Sequence, residues 1–396
     1  EVPMLTDEIR ARRSVREFHQ LPHDQRLIVC FAEYKEDWND LSRAVERLST
    51  AQGRSVVYLT SDPDDPLLKG RQHNLHVFYV GRGGSRKKLF KKIDANVVVV
   101  PRPYVGSVIP RSREDVHYAL VLSTLQSVTT QFSAKELAPY RTVFCSGRHQ
   151  LAELRDLVGD SVQLLEHGNG RLDSVLERRD RRPTEVDEYR TPSVLIAPHG
   201  PELITQTSPE WITEILDRGF KVTLHLRPDM PGAAKIAKKL TRRFEQAPGF
   251  RGHCAPATPS LLFTHQAVIT DGSDLALQYA LGLERPVIFV DLPRRDGSAM
   301  GTANRRPLEV SLRDQLGTIV PMARLLTLAV VCEESIRDRD TRKEALIELR
   351  ERLVFHGRLS GAIGSAALEA ITLRHDPKAA LERALAELRS SGSHAA

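Results

Sequence analysis

Cysteine, methionine and tryptophan are scarce in this chain of 396 residues, which has four, four and two of them respectively. The cysteines are Cys30, Cys145, Cys254 and Cys332, and no two of them stand at the spacing of a metal-binding motif. We therefore interpret them as reduced core residues of a cytoplasmic protein. Disulfide scaffolds and zinc fingers are not predicted.

Long apolar runs are also missing. No stretch of about 18 apolar residues occurs, so the sequence predicts no membrane-spanning helix. Walker A, GxSxG and kinase signatures are absent too. No His, Cys or carboxylate motif with ligand spacing is recognisable, so we expect no tightly bound metal and no cofactor.

What the chain does contain is typical of a globular enzyme with two cores. Hydrophobic residues make up 41%, charged residues 27% and aromatic residues only 6% of the sequence. The formal net charge is +6, which suits a phosphate-bearing ligand or an anionic membrane surface. The spacing of an RNA-binding aromatic stripe is absent, so no nucleic-acid partner is expected. Oligomeric state is left open.

Short β-branched runs alternate with longer amphipathic stretches, which predicts parallel strands joined by helices. In the first half, the predicted strands are Leu27–Phe31, Ser55–Leu59, Leu75–Val80, Asn96–Val100, Tyr118–Leu122 and Thr142–Cys145. In the second half, they are Ser193–Ala197, Lys221–Leu226, Ala267–Thr270 and Pro286–Asp291. Arg178–Pro192 is charged and contains two prolines, which predicts a linker.

The predicted fold class is therefore α/β and GT-B-like: two doubly wound Rossmann-like domains with a cleft between them and a C-terminal helical tail. We place an N-terminal helical extension at 1–24 and an acceptor- and membrane-facing domain at 25–180. A nucleotide-donor domain is placed at 193–332, and helices that pack back across the interface at 333–390. Ligands of open parallel sheets bind beyond the carboxyl ends of the strands, so the loops after the strands are the candidate site.

The segment Val268–Asp291, VITDGSDLALQYALGLERPVIFVD, carries the sharpest of these loops. A strand ends at Thr270, a polar turn follows, and an amphipathic helix begins. Ser273 or Asp274 can cap that helix, and a helix N-terminus after a parallel strand is suited to phosphate. A routine helix cap with no ligand is the alternative.

This segment resembles the donor-site signature of the CDP-glycerol glycerophosphotransferase family, which includes teichoic-acid polymerases. Further similar segments follow the family's order along the chain: SVVYLTSDPDDP at 55–66, residues 97–127, FCSGRHQLAE at 144–153, PLEVSLRDQLG at 307–317, and residues 356–371. The resemblance covers roughly residues 27–371.

The resemblance implies a transferase of cell-envelope biosynthesis, of the kind that makes teichoic acid or capsule polysaccharide. Such an enzyme moves a glycerol-phosphate or other polyol-phosphate unit from a CDP-linked donor to a hydroxyl acceptor on an envelope glycan or glycolipid. Two alternatives stay open: a GT-B glycosyltransferase that uses a nucleotide sugar, and a catalytically reduced nucleotide-binding or scaffold homologue. Localisation is expected to be cytoplasmic, with peripheral contact to the inner face of the cell membrane as an open alternative.

The family has two histidines that this chain lacks, one after Arg-Pro at a strand exit and one in an N-terminal motif. Asp229 occupies the first position, in LRPD, and is the first candidate for the general base. A helix cap or an ion pair with Arg227 is the alternative role for Asp229. His199 and His149, which follow other strands, are the alternative bases. The scaffold hypothesis rests on the two missing histidines.

The remaining candidate residues are predicted to contact one of the two substrates. The donor side comprises Arg227, Thr270, Asp271, Gly272, Ser273, Asp274, Arg294, Arg305 and Glu309. The acceptor side comprises Ser123 and Gln126. Arginine is expected because its fork of N–H donors binds pyrophosphate oxygens in pairs.

Overall fold

A computed structural model describes residues 5–70, 72–181, 191–255, 257–258, 260–293 and 306–392. The thirteen strands of these residues are β1 (Ile28–Ala32), β2 (Val56–Thr60), β3 (Leu75–Tyr79), β4 (Val97–Val100), β5 (His117–Val121), β6 (Thr142–Cys145), β7 (Gln163–Glu166), β8 (Ser193–Ile196), β9 (Lys221–Leu226), β10 (Phe250–Cys254), β11 (Ala267–Thr270), β12 (Val287–Asp291) and β13 (Gly317–Pro321).

The α-helices in the same part of the chain are α1 (Leu5–Gln20), α2 (Trp38–Glu46), α3 (Gly84–Phe90), α4 (Ala134–Leu137), α5 (Arg148–Val158), α6 (Gly170–Arg181), α7 (Glu202–Thr205), α8 (Glu210–Asp217), α9 (Ala233–Arg243), α10 (Ser260–Phe263), α11 (Asp274–Leu283), α12 (Leu308–Ser311), α13 (Arg313–Leu316), α14 (Leu328–Arg337), α15 (Lys343–Leu353), α16 (Ser360–Thr372) and α17 (Pro377–Gly392). A π-helical turn, Arg47–Ala51, extends α2.

The chain forms two compact units. Unit 1 comprises the described residues of 1–123, 131–170 and 354–396, and unit 2 those of 124–130 and 171–353. The short segment 124–130 therefore belongs to unit 2 although the chain on both sides of it belongs to unit 1. Residues 182–190 of the predicted linker lie outside the described residues.

Unit 1 contains a parallel sheet in the order β3-β2-β1-β4-β5-β6-β7. Its central strands are apolar on both faces because helices cover both, and Val97–Val100 of β4 is fully buried. The core on one face includes Cys30, Tyr58 and Phe144, against which Leu41 and Ile363 pack from α2 and α16. C-terminal helices thus complete this unit.

Unit 2 repeats the arrangement with the order β10-β9-β8-β11-β12-β13, again with parallel pairs. One face is packed by Trp211 of α8, Leu240 of α9 and Leu328 of α14. In both sheets the chain moves outward from its first strand in one direction and then returns to the other side, as doubly wound folds do. The predicted pair of doubly wound Rossmann-like domains with C-terminal helices is confirmed.

None of the described helices is long and apolar enough to cross a membrane. All four cysteines are unpaired; Cys30, Cys145 and Cys332 are buried, and Cys254 is half-buried.

Candidate functional site

The predicted donor turn lies at the carboxyl end of β11 in unit 2. Thr270 Oγ1 accepts hydrogen bonds from the backbone N–H groups of Gly272, at 3.0 Å, and Ser273, at 2.9 Å. Gly272 has φ +136°, a backbone conformation that side chains with a Cβ rarely adopt. Thr270 and Gly272 together form the turn between β11 and α11.

Ser273 stands at the N-cap of α11, where the sequence predicts a capping residue, but its side chain makes no capping hydrogen bond. Instead, Ser273 Oγ accepts from Thr270 Oγ1 at 3.2 Å. The hydroxyl hydrogen of Ser273 is thereby left to donate to another group. A serine held in this way at a helix N-terminus can donate to a phosphate oxygen.

The carboxylate of Asp274 binds the segment 124–130. Its Oδ1 accepts from Thr124 Oγ1 at 3.0 Å and from Leu125 N at 2.6 Å, and its Oδ2 accepts from Gln278 Nε2 at 2.6 Å. Protein donors thus occupy both oxygens of a residue that the sequence predicts on the donor side. Asp274 anchors the segment to the start of α11.

Glu309 of α12 anchors the other end of the same segment. Its carboxylate accepts from Ser127 N at 3.0 Å and from Thr130 Oγ1 at 3.1 Å. In return, Ser127 Oγ accepts from Leu308 N at 2.8 Å. Two buried or half-buried carboxylates, both predicted as donor-side residues, therefore hold 124–130 within unit 2.

Gln126 is buried in unit 2 beside the donor turn. Its Nε2 donates to the carbonyl oxygen of Gly272 at 2.5 Å and lies 3.3 Å from His199 Nδ1. The sequence places Gln126 within the N-terminal domain and on the acceptor side. In the structure Gln126 belongs to unit 2, because the anchors at Asp274 and Glu309 hold its neighbours there. Its contact with the acceptor stays a prediction.

His199 follows β8 and joins the same cluster through its backbone. Its N–H donates to Asp271 Oδ1 at 2.6 Å, and its carbonyl oxygen accepts from Arg227 Nη2 at 3.3 Å. Burial raises the pKa of the Asp271 carboxyl, and the hydrogen bond from His199 N opposes that shift. The exits of β8, β9 and β11 thus meet at one edge of the sheet.

Asp229 follows β9 and forms an ion pair with Arg227, whose Nε lies 3.6 Å from Asp229 Oδ1. The side chain of Asp229 is 54% exposed. The N-cap of α9 is Gly232, so Asp229 does not occupy the capping position that the sequence left open. The alternative role as an ion-pair partner of Arg227 is observed.

Arg313 is a member of this cluster that the sequence analysis missed. Its guanidinium donates to the backbone oxygen of Asp271 and pairs with Asp291 Oδ1 at 3.2 Å. It is only 6% exposed. Arg313 lies in the segment PLEVSLR, which resembles the family. The local pattern does not indicate which strand ends the Arg313 side chain contacts. Arg294 and Arg305 lie outside the described residues.

His149 and Ser123 belong to unit 1, where they lie at the carboxyl side of its sheet. His149 is half-buried in the first turn of α5, after β6. The carbonyl oxygen of Ser123 accepts from Asn169 Nδ2 at 3.1 Å, and the same amide donates to Ser146 Oγ at 3.1 Å. Asn169 is a second residue that the sequence analysis missed.

Within the described part of the chain, no group of three or more His, Cys, Asp or Glu side chains is placed to hold a metal ion. The unit 2 cluster offers hydrogen-bond donors, buried or half-buried carboxylates and two ion pairs, Arg227–Asp229 and Arg313–Asp291.

No protein-family model matches the chain, and no curated protein is significantly similar to it in sequence. Solved structures do resemble it. The wall teichoic acid polymerase TagF, in a variant soaked with CDPG, has a TM-score of 0.61 at 15% identity over 92% of this chain and 94% of its own.

Two further structures have comparable folds. A protein assigned as a UDP-N-acetylglucosamine 2-epimerase, from Listeria monocytogenes, has a TM-score of 0.57 at 11% identity over 88% of this chain and 97% of its own. S. aureus MnaA, in a structure with UDP, has a TM-score of 0.52 at 10% identity over 86% and 95%. At these identities the likeness concerns the fold, which is that of the GT-B class.

Proposed function

We propose that this protein is a transferase that moves a glycerol-phosphate or other polyol-phosphate unit from a CDP-linked donor to a hydroxyl group of an envelope glycan or glycolipid. The observation that carries the proposal is the cluster in unit 2, where Thr270, Asp271, Gly272 and Ser273 meet His199 and Arg227. Such a set of donors at strand exits suits a diphosphate.

Two further observations support a CDP-linked donor. The ordered series of segments from 55 to 371 resembles the glycerophosphotransferase family, and one solved structure of similar fold is a polymerase soaked with CDPG. Other structures of similar fold carry names that refer to UDP compounds, so a nucleotide-sugar donor is the alternative that an experiment must separate.

In the proposed reaction the acceptor oxygen attacks the distal phosphorus of the donor. The bond from that phosphorus to the bridging oxygen breaks, and CMP leaves with the electron pair of the bond. The hydroxyl proton passes to a general base, for which Asp229 is the first candidate. Arg227 and the Ser273 hydroxyl would bind phosphate oxygens and offset the charge that develops on the leaving group.

The test is a binding screen of the full chain against CDP-glycerol, CDP-ribitol, CMP and UDP-glucose, by thermal shift and calorimetry. A ligand that binds only the folded state raises stability with the logarithm of its concentration above Kd. We expect the CDP compounds to bind and stabilise most. Preferential binding of UDP-glucose would favour the glycosyltransferase alternative, and binding without turnover would favour the scaffold alternative.

Ser273→Phe is the matching variant, because the buried Ser273 side chain is next to the proposed phosphate position. It should weaken binding of the best nucleotide at least tenfold. Ser107→Phe, at an exposed serine in unit 1, is the control and should leave binding unchanged. Equal affinities for the two variants would mean that the turn only begins a helix.

A further inference from the structure

Gln126 and His199 form a pair whose hydrogen bonds fix where the proton of the imidazole ring resides. The backbone of His199 is held on both sides, by Asp271 Oδ1 on its N–H and by Arg227 Nη2 on its carbonyl oxygen. The ring is therefore carried on a fixed piece of main chain at the exit of β8. Its Nδ1 lies 3.3 Å from Gln126 Nε2.

The orientation of the Gln126 amide follows from its other contact. The group 2.5 Å from the carbonyl oxygen of Gly272 must be the NH₂, since two oxygens without a hydrogen between them would repel. The NH₂ of an amide has two hydrogens and accepts none. One hydrogen goes to Gly272 O, and the other faces His199 Nδ1, so Nδ1 must be the acceptor.

A neutral imidazole that accepts at Nδ1 carries its hydrogen on Nε2. His199 Nε2 has no hydrogen-bond partner among the described residues, and the ring is half-buried. An Nε2–H group can donate to an anion but cannot take a proton from an attacking hydroxyl.

We propose that His199 is a neutral hydrogen-bond donor to a phosphate oxygen of the ligand, that Gln126 is the positioning residue that sets its tautomer, and that His199 is not the general base. The proposal rests on the proposed function for the identity of the ligand, a nucleoside diphosphate compound. It gives His199 a different role from the alternative base that its place after β8 suggested, and it leaves Asp229 as the candidate base in unit 2. Neutral donors suit this role because they bind an anion without an ion pair that has to be desolvated.

The tautomer is measured first, without ligand. Long-range ¹H–¹⁵N correlation spectra of the full chain with labelled histidine distinguish Nε2–H from Nδ1–H rings, and loss of one signal set in His199→Gln assigns the residue. We expect the Nε2–H tautomer in the wild type. Gln126→Glu, which offers an acceptor to Nδ1, should convert the ring to Nδ1–H or to the doubly protonated form.

Gln126→Met keeps the length of the side chain and removes the amide, so it should leave the two tautomers mixed. An Nδ1–H ring in the wild type would overturn the proposal. So would an unchanged Nε2–H ring in Gln126→Glu, provided that the variant's circular dichroism shows an intact fold.

The second arm is calorimetry with CDP and with inorganic pyrophosphate. His199→Ala removes the donor and should weaken CDP binding about 10- to 100-fold, the range for one hydrogen bond to a charged group. His199→Gln places an amide N–H near the position of Nε2 and should retain most of the affinity. Equal affinities of wild type and His199→Ala would overturn the proposed contact.

Together, the tautomer measurement and the calorimetry distinguish a failure of the proposed role of His199 from a failure of the proposed function. A wild type that binds neither CDP nor pyrophosphate would remove the ligand contact together with the proposed function, whatever the tautomer. An Nδ1–H ring combined with tight CDP binding would overturn only the role of His199 and leave the proposed function standing.

Discussion

Asp229 is the residue on which the proposed reaction depends most directly, because it stands where the resembled family has a histidine. Its side chain is half exposed and paired with Arg227 at 3.6 Å. An ion pair of this length at a partly exposed site is weak, so the carboxylate can exchange partners when a substrate arrives. The same arginine also donates to the backbone of His199, so it can orient both groups.

We predict that Asp229→Asn slows transfer by a factor of about 10² to 10⁴, the usual loss when a general base is removed. Binding of the CDP compound should hardly change, because the amide has the same shape and Arg227 keeps its contact to His199 O. The measurement is release of CMP from CDP-glycerol in the presence of a hydroxyl acceptor, beside the calorimetric Kd. Asp217→Asn, at the exposed end of α8, is the control.

A normal rate for Asp229→Asn would assign the base elsewhere, and His149 of unit 1 would then be the next residue to replace. An equal loss of affinity and of rate would instead indicate that Asp229 serves to bind the substrate.

At the level of single residues, the sequence predicts positions best for polar residues that directly follow a strand. Thr270 ends the predicted strand, and Asp271 and Ser273 lie in the predicted turn that follows it. Gln126 could not be placed, since its position depends on hydrogen bonds to residues more than 140 positions away. Asp274 and Glu309 are predicted on the donor side, and the pattern gives no sign of their hydrogen bonds to 124–130, because an isolated sequence does not indicate whether an acidic residue has a protein partner.

In unit 2, α6 and α11 lie in close contact at Gly282. A Cβ on Gly282 would lie 2.5 Å from Val175 Cγ1 and 3.3 Å from Leu172 Cδ1. Valine in a helix has essentially one rotamer, so this contact cannot be relieved by turning the side chain. The two helices would have to move apart.

We predict that Gly282→Ala destabilises the protein by about 1–3 kcal/mol, the usual cost of overpacking a core. The gain in helix propensity from glycine to alanine, roughly 1 kcal/mol, acts in the opposite direction and is smaller than the upper part of that range. Urea unfolding measures the change. Gly357→Ala is the control, because a Cβ there meets nothing within 4 Å.

The control variant should stay within about 0.5 kcal/mol of the wild type. If Gly282→Ala were as stable as Gly357→Ala, then α6 would be free to shift, and the close approach would not constrain unit 2.

The strands that the sequence fails to predict lie at sheet edges, whereas most of the predicted strands lie inside a sheet. The interior strands β9 and β11 match the predicted bounds. All four residues of β11 are buried and its apolar run is continuous up to Thr270, whereas β9 alternates buried apolar residues with Lys221, Thr223 and His225. The three strands that were missed, β7, β10 and β13, all lie at sheet edges. An edge strand has a partly exposed face, as Thr318 and Ile319 of β13 show, so its apolar pattern is interrupted.

At the scale of the whole molecule, buried histidines make the protein sensitive to acid, because burial keeps their imidazoles neutral at a pH at which an exposed histidine is protonated. Burial lowers the pKa of His167 in unit 1 and of His225 in unit 2 from 6.5 to about 4. His225 Nδ1 lies 3.2 Å from His253 Nε2, and burial lowers the pKa of His253 as well. Both units therefore contain imidazoles that resist protonation.

This arrangement makes stability depend on pH in a defined direction. Between about pH 6.5 and pH 4 the unfolded chain binds protons at these histidines and the folded chain does not, so the free energy of unfolding falls as the pH falls. A shift from 6.5 to about 4 corresponds to a loss of roughly 3 kcal/mol per histidine once the pH is below both values. Above pH 6.5 the contribution does not change with pH.

We therefore predict a decline in the urea midpoint as the pH is lowered from 7 to 4.5, with a smaller slope in His225→Asn than in the wild type. The asparagine cannot titrate, so it removes one of the groups that the unfolded state protonates preferentially. His73→Asn, at an exposed histidine, is the control and should leave the slope as it is. Carboxylates also titrate near the lower end of this range, and they do so equally in all three proteins, so the difference in slope isolates His225. A slope in His225→Asn that equals the wild-type slope would mean that His225 is protonated in the folded chain over this range, and its contact with His253 Nε2 would then have to be a bond donated by an imidazolium ion.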